Sequence, residues 1–191
     1  MKTEDKIILH FIEESAPLTI REISKRIRAD YRITHFAVQK LIKKGILAAK
    51  TVGKSTLCSL NNGYYGMEIY QAEGKRKEDL LNKTDLRQLY REVMSKVQAN
   101  MFVFLVFGSY AKRQQNKRSD IDILFVSNEK DFEVRASEIL SLLPLKTHLL
   151  VFTEEEFKRM KDDKKPNVVQ EAMKNHVILY GTECYYRLKN A

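Results

Sequence analysis

Cysteine and long apolar runs are both scarce in this sequence. Among its 191 residues there are two cysteines, Cys58 and Cys184, which are too few for a disulfide framework or a Cys-rich metal site. No apolar run approaches the length that a helix needs to cross a bilayer, and the opening residues MKTEDKIILHFIEES are amphipathic where a signal peptide is uniformly apolar. We therefore expect a soluble protein of the reducing cytoplasm that does not bind or span a membrane.

Positive charge is in excess and is concentrated in one segment. The chain has 34 Lys and Arg residues against 25 Asp and Glu, a net charge of +9. Between residues 21 and 54, ten Lys and Arg residues face only Glu22 and Asp30, which gives this segment a local charge of +8. The distribution predicts a polyanionic partner that binds this segment.

Residues 5–45 show the apolar periodicity of three short helices. Helical spacing of apolar residues predicts helices over 5–16 and 34–44, the second followed directly by Gly45. Between them, Thr19 and Glu22 have the three-residue spacing of a capping box, which predicts the start of another helix. In the helix over 34–44 we expect the apolar residues, Phe36 among them, to face inward.

Two short apolar stretches follow, separated by residues 52–54, and predict a two-stranded β-hairpin. Three helices and a basic hairpin within residues 1–62 are the pattern of a winged helix-turn-helix domain. In that architecture the third helix lies in the major groove of double-stranded DNA and the hairpin contacts the duplex beside it. Because the charge is concentrated on these two elements, we favour DNA or RNA binding over a helical domain whose charged faces are merely solvated.

The expected DNA contacts divide into base-reading and phosphate-binding side chains. The residues expected nearest the base edges are Thr34, His35 and Gln39. The residues expected to neutralise phosphates are Lys40, Lys43, Lys44 and Lys54. An affinity that falls steeply with salt should follow. Winged-helix proteins often pair to reach two half-sites, so a homodimer is one expected assembly.

The second half of the chain has a different pattern of apolar residues. Residues 63–84 favour a connector that is helical around 67–72, and a second domain is expected over 85–191. A helix is predicted over 85–98, and the stretch MFVFLVF at 101–107 is apolar at every position, as in a strand covered on both faces by helices. We therefore expect a two-domain protein of the α/β (α+β) class.

A glycine and a serine follow the predicted strand, and two aspartates open the next apolar run, SDIDILFV. Because Gly108 has no Cβ, backbone N–H groups can approach an anion there, and the Ser109 hydroxyl adds a donor. Alternation along a strand puts Asp120 and Asp122 on one face, with Cα atoms about 6 to 7 Å apart. Two carboxylates so close repel each other unless a divalent cation, Mg²⁺ or Mn²⁺, lies between them.

A simpler alternative has the two aspartates ending a turn and forming ion pairs with Arg113 or Arg118. For an isolated Asp-x-Asp this would be the favoured interpretation. The Gly-Ser turn on the preceding strand reverses the preference, since phosphate and metal chemistry need both features together.

The combination of GSYA at 108–111 and SDIDI at 119–123 resembles the signature of the polymerase beta type nucleotidyltransferase superfamily, in particular its minimal prokaryotic members. The resemblance covers about residues 100–190. It implies a mixed sheet with flanking helices, Mg²⁺ held by Asp120 and Asp122, and an NTP bound by Gly108, Ser109 and Ser119. It also implies in-line transfer of a nucleotidyl group to a hydroxyl. The first sixty residues resemble a separate winged-helix family, and the fusion is similar to a group of archaeal regulators.

Two departures from this resemblance affect the expected activity. Relatives have a glycine at the position of Arg113, and they supply a third carboxylate from the next long strand. In this sequence that strand is KTHLLVF at 146–152, and the position aligned with the third acid is His148. Imidazole does not bridge two hard cations as a carboxylate does. Glu154, Glu155 and Glu156 follow the strand, but they suit the first turn of a helix.

Two functions are therefore expected. In the first, the chain is a Mg²⁺-dependent nucleotidyltransferase that modifies a hydroxyl of a protein or small molecule and carries a DNA-binding winged-helix domain. In the alternative, it is a DNA-binding transcriptional regulator whose nucleotidyltransferase-like domain binds nucleotide, ATP for example, but is catalytically impaired because the third carboxylate is missing. An antitoxin-like module that binds a partner protein is a further alternative.

Overall fold

The computed structural model describes residues 1–53, 55–82, 84–116 and 119–191. The chain divides into two compact units, residues 1–72 and 73–191, and each is described by itself. Within the described ranges, none of the helices combines the length and apolarity that crossing a bilayer requires.

The first unit is built from helices and a small antiparallel sheet. Its elements in chain order are α1 (Thr3–Glu13), β1 (Leu18–Thr19), α2 (Ile20–Arg26), α3 (Tyr31–Lys43), β2 (Leu47–Val52) and β3 (Ser55–Leu60). The strands lie in the order β1-β3-β2, so the predicted hairpin of β2 and β3 is confirmed and gains β1 as a third strand. Apolar side chains from all three helices are buried, with Phe11, Ile23 and Val38 at 1% exposure or less.

Local side-chain hydrogen bonds set where the helices of this unit begin. The predicted capping box is confirmed, because the Thr19 hydroxyl accepts from the Glu22 backbone N–H and a Glu22 carboxylate oxygen accepts from the Thr19 N–H. Helix α3 begins three residues earlier than predicted. Its N-cap is Asp30, whose carboxylate accepts from the N–H groups of Arg32 and Ile33.

The inward face of α3 differs from the prediction. Thr34, Ala37, Val38 and Leu41 are the buried residues of this helix, at the i, i+3, i+4, i+7 spacing of one helical face. Phe36 lies off that face and is 75% exposed, so the expectation that it packs inward is wrong. The apolar character of Phe36 was misleading because the helical register, and not hydrophobicity, decides which residues face the core.

The second unit contains the C-terminal part of α4 (Met67–Leu81) and the remaining elements. These are α5 (Thr84–Lys96), β4 (Val103–Phe107), α6 (Gly108–Ala111), β5 (Ile121–Val126), α7 (Phe132–Ser141), β6 (Thr147–Phe152), α8 (Glu154–Lys161), α9 (Val168–Lys174), β7 (His176–Tyr180) and α10 (Thr182–Asn190). The helix expected around 67–72 thus continues to Leu81. All five residues of β4 are buried, as its apolar sequence predicts.

The sheet of this unit is mixed, as the resemblance implies. Its order is β6-β5-β4-β7, with β4 antiparallel to both neighbours and β5 parallel to β6. The register aligns His148, Asp122, Phe107 and His176 in one row across the four strands. Paired residues share a face, so these four side chains start from the same side of the sheet. The opposite face, with Ile121 and Ile123, packs into the apolar cluster that includes residues of α5 and α7.

A buried polar cluster joins α4, β7 and α10 within the second unit. Glu73 is 1% exposed and accepts hydrogen bonds from Arg76 at 2.7 Å and from the Tyr186 hydroxyl at 2.8 Å. Arg76 also donates to the backbone carbonyl of His176. Because each partner satisfies the others, the charged pair is tolerated in the core, and residues 73–76 belong to this core although the sequence suggested a connector.

Candidate active site

Asp122 lies against the backbone of Gly108 where β4 ends. The register pairs Asp122 with Phe107, the residue that precedes this glycine. A Cβ added to Gly108 would lie 2.1 Å from Asp122 Oδ2, and Gly108 has a φ of +66°, in the left-handed region. The conformation favours glycine at this position, and any larger residue there would displace the Asp122 carboxylate. The structure therefore brings together the Gly-Ser turn and the second aspartate of SDIDILFV.

His148 is the next side chain along the same row. It pairs with Asp122 between the parallel strands β5 and β6, and its Nδ1 lies 3.3 Å from Asp122 Oδ1. The His148 side chain is 59% exposed, whereas that of Asp122 is 29% exposed. An imidazole accordingly stands beside the central carboxylate, at the position where the resemblance implies a third acid.

The other predicted nucleotide and metal ligands lie in the loop ends beside this contact. Asp120 is exposed and directly precedes β5, whose first residue, Ile121, donates its N–H to the Lys146 carbonyl. The Ser119 hydroxyl accepts from the Asn116 N–H at 2.9 Å and closes a short turn. Ser109 is half-buried in α6. These residues border the Gly108–Asp122 contact along the chain.

The loop between the two strands contains a strained residue. Arg113 has a φ of +57°, a conformation that glycine adopts without strain and an L-residue does not. This explains physically why a glycine suits the position. Arg113 forms an ion pair with Asp79, with 3.6 Å between the guanidinium Nη2 and Oδ2. Arg118, the other partner that the ion-pair alternative names, lies outside the described residues.

Glu154, Glu155 and Glu156 are at the far end of β6 from His148. They form the first turn of α8, where Thr153 and Glu156 make a capping box. Glu154 accepts from Arg187 at 2.9 Å and lines a cavity of about 380 Å³ with Val103 and Val126. The six residue steps from His148 to Glu154 span about 20 Å of extended chain, so these acids cannot stand in for a third ligand at Asp122.

The chemistry of the donors fits a divalent cation that is shared with a nucleotide. Asp120 and Asp122 offer carboxylate oxygens, which Mg²⁺ and Mn²⁺ prefer, and the Gly108 backbone lies directly beside the Asp122 carboxylate. In the part of the chain that the structure describes, no three His, Cys, Asp or Glu side chains come together as a ready metal site. Mg²⁺ commonly uses one or two carboxylates together with substrate phosphates and water, so two carboxylates are sufficient.

The predicted DNA-contacting residues of the first unit have diverse environments. Thr34 has no exposed surface and its hydroxyl donates to the Asp30 carbonyl at 2.8 Å, so it cannot reach a base edge and the expectation for it is corrected. His35 is half-buried, and Gln39 and Lys43 are exposed. Lys54 lies outside the described residues.

Two of the predicted phosphate-binding lysines form ion pairs within the first unit. Lys40 donates to Glu4 and Lys44 to Glu68, each at 2.9 Å. The hydrogen bond from Lys40 lowers the pKa of Glu4, and hydrogen bonds from Tyr64 and then Lys44 lower the pKa of Glu68 to about 2. Part of the positive charge counted in the sequence is therefore neutralised by neighbouring acids.

Comparison with known proteins finds a family that part of the chain resembles. Residues 91–184 match the polymerase beta nucleotidyltransferase family. The matched segment contains Gly108, Asp120, Asp122 and His148, so the geometry described above lies in a nucleotidyltransferase-type domain. A curated protein from Methanocaldococcus jannaschii, named "Putative protein adenylyltransferase", is 36% identical over 90 residues, which are 47% of this chain. The matched region spans 61% of that relative. No solved structure gives a significant match.

Proposed function

We propose that the second unit transfers a nucleotidyl group from an NTP to a hydroxyl. The observation that carries the proposal is the contact of the Gly108 backbone with the Asp122 carboxylate at the start of β5, which brings the Gly-Ser turn next to an acid of the type that binds Mg²⁺. The family match of residues 91–184 supports the same chemistry.

In the proposed reaction the acceptor oxygen forms a bond to the α-phosphorus while the bond from that phosphorus to the bridging oxygen breaks. Pyrophosphate leaves with the electron pair, and the hydroxyl proton passes to water. Gly108, Ser109 and Ser119 hold the phosphates, and Asp120 and Asp122 hold Mg²⁺ or Mn²⁺. The cation supplies charge stabilisation at the oxygens around the reacting phosphorus.

The relative's name favours ATP as the donor and a protein as the acceptor. It is named a "Putative protein adenylyltransferase", and the 36% identity extends over 90 residues of this chain. The chain spans about three fifths of that relative's length, so donor and acceptor are part of the proposal.

The imidazole at His148 favours a reduced rate. Where a carboxylate at this position serves as general base, its loss costs roughly 10² to 10⁴ in rate. If the loss in rate is near 10⁴, the alternative function follows: a DNA-binding regulator that binds nucleotide without efficient turnover.

Labelling with α-³²P NTPs tests the proposal. The protein is incubated with each NTP, Mg²⁺ or Mn²⁺, and candidate protein and small-molecule acceptors. We expect Asp122→Asn to reduce incorporation by roughly 10²-fold or more, because it removes a carboxylate proposed to hold the cation that stabilises charge at the reacting phosphate. The matched control is Asp131→Asn at the start of α7, where the aspartate makes no capping hydrogen bond. Equal incorporation by both variants would reject the proposal.

A second function, DNA binding by a winged helix-turn-helix over residues 1–62, is proposed for the first unit. The observation that favours it is the exposed face of α3, where Gln39, Lys40 and Lys43 lie together at helical spacing. Fluorescence anisotropy with duplex DNA at several salt concentrations measures the affinity. Lys40→Glu with Lys43→Glu should weaken binding and reduce its salt dependence, whereas Lys164→Glu in the second unit should leave both unchanged. A double variant that binds like the unaltered protein would contradict this function.

A further inference from the structure

Strand β6 has a strand partner on one side only within the part of the chain that the structure describes. It is the edge strand of the four-stranded sheet and pairs with β5 alone among the described residues. The Ile121 N–H donates to the Lys146 carbonyl and the Ser127 N–H to the Phe152 carbonyl. In a parallel ladder, alternate residues point to alternate neighbours, so residues 146, 148, 150 and 152 face β5. The N–H and C=O groups of Thr147, Leu149 and Val151 consequently point outward.

This edge carries none of the charges, prolines or bulges that commonly protect a sheet edge. Its sequence, THLLVF, has no Lys, Arg, Asp, Glu or Pro, and its pairing with β5 is regular over all six residues. Five of the six residues are half-buried and His148 is exposed. Natural proteins block such edges with charges, prolines or bulges, because an open edge pairs with other extended chains. An apolar and regular edge is therefore suited to binding a strand.

The edge is continuous with the candidate active site. His148 lies on β6 and contacts Asp122, and both belong to the row that ends at this edge. A residue added opposite His148 in an antiparallel strand would have its Cα about 4.5 Å away, with its side chain on the same face of the sheet. The added side chain would thus extend the row in which Asp122 lies.

We propose that the acceptor is an extended polypeptide segment that adds as a fifth strand to β6 and presents a side-chain hydroxyl beside His148. This rests on the nucleotidyltransferase function proposed above. Backbone hydrogen bonds to Thr147, Leu149 and Val151 hold the segment, and the alternation of its side chains directs the hydroxyl of one residue to the face of Asp122. The hydroxyl oxygen then forms the bond to the α-phosphorus, pyrophosphate leaves with the electron pair of the broken bond, and the proton passes to water.

Backbone methylation of peptide acceptors tests strand addition directly. Immobilised ten-residue peptides, each with one central Ser, Thr or Tyr between apolar residues, are incubated with α-³²P ATP and Mg²⁺ or Mn²⁺. Labelled peptides are then remade with a single N-methyl group at each position in turn. We expect a period of two: methylation of the N–H groups that face β6 reduces labelling at least about 10-fold, and methylation of the alternate ones changes it little. Uniform sensitivity, or none, would overturn the proposal.

A matched pair of variants tests the edge itself. Val151→Pro removes an outward N–H that the sheet does not use, and Val151→Ala shortens the same side chain but keeps the N–H. We expect the proline variant to lower kcat/KM for the labelled peptides at least about 10-fold, and the alanine variant to stay within about 3-fold. The Kd for Mg²⁺-ATP, measured by calorimetry, should be unchanged in both. If Val151→Pro does not fold, the methylation pattern decides.

Other outcomes separate this inference from the function on which it rests. If no peptide is labelled while Asp122-dependent release of pyrophosphate from ATP persists, strand addition is wrong and the proposed reaction stands. If neither is seen with any NTP or metal, the proposed function fails and the inference fails with it. A dimer that Val151→Pro converts to a monomer would show that a second copy occupies the edge, which also overturns the proposal.

Discussion

Among single residues, substitution of His148 tests most directly whether the missing carboxylate limits the transfer rate. We expect His148→Asp to raise the Mg²⁺-dependent transfer rate roughly 10-fold or more, because a carboxylate binds a hard cation and imidazole binds it poorly. His148→Asn, of similar size to Asp but uncharged, is the control. Rates are compared under single-turnover conditions with the same acceptor. A decrease for His148→Asp would show that the imidazole itself contributes to the reaction.

Substitution of Gly108 should impair the site, whereas His148→Asp should improve it. Gly108→Ala places a Cβ 2.1 Å from Asp122 Oδ2 at a backbone φ of +66°, so the carboxylate and the turn must move apart. We expect ATP binding by calorimetry to weaken at least about 10-fold and the free energy of unfolding to fall by about 1–2 kcal/mol. Gly74→Ala in α4 is the matched control, since nothing lies within 4 Å of its Cβ. It should stabilise the protein by about 0.5–1 kcal/mol. Two variants with equal affinity for ATP would contradict the role given to Gly108.

Among the elements, the second half of α4 is held against β7 and α10 by the buried pair of Glu73 and Arg76. We expect Glu73→Ala to lower the free energy of unfolding by about 3–5 kcal/mol, because it leaves a guanidinium buried without its counter-charge. The double variant Glu73→Leu with Arg76→Met should recover most of this loss, since it removes both charges. Urea denaturation measures each value. A double variant no more stable than Glu73→Ala would show that the contacts of Arg76 with β7 outweigh the ion pair.

The same elements show what the sequence could predict. Strand β4 and the capping box before α2 were predictable because each depends on residues adjacent in the chain. The aspartate pair and the glycine turn were found for the same reason, as their chemistry is carried by short motifs. The register of α3 was not, because burial of Thr34 and exposure of Phe36 depend on packing against other elements. Glu73 and Arg76 were missed because their partners Tyr186 and His176 are about a hundred residues distant.

For the whole molecule, charge counted along the sequence overstates the charge that the structure offers to a partner. Lys40 and Lys44 are each paired with an acid of the first unit, and Thr34 is withdrawn into its core. The exposed face of α3 instead combines Lys43 and Gln39 with the apolar Ile33 and Phe36. Any DNA binding by this unit would consequently depend on fewer phosphate contacts than the local charge of +8 suggests, and a shallow salt dependence would follow.

The stability of the second unit should depend on pH through His176. Burial, and then the charges of Arg76 and Lys189, lower the pKa of this imidazole to about 3, while its Nδ1 lies 3.0 Å from the Ala172 carbonyl and donates to it. The unfolded chain, with a His pKa of about 6.5, therefore binds a proton that the folded state rejects as pH falls. The free energy of unfolding should decrease below pH 6.5 by up to about 1.4 kcal/mol per pH unit, or about 2 kcal/mol by pH 5.

Between pH 6.5 and pH 5, the effect of His176 on stability can be measured without a contribution from protonation of the carboxylates. Glu129 of this unit, whose pKa the hydrogen bond from Arg135 lowers, contributes stability that is complete above its unfolded pKa and is lost only as pH falls below about 4.5. His176→Asn keeps an N–H donor for the Ala172 carbonyl but cannot take up a proton, so it should be less stable at pH 7 and nearly independent of pH down to pH 5. Urea denaturation at pH 7, 6 and 5 compares the slopes. Equal slopes in the two proteins would mean that protonation of other groups controls the stability of this unit.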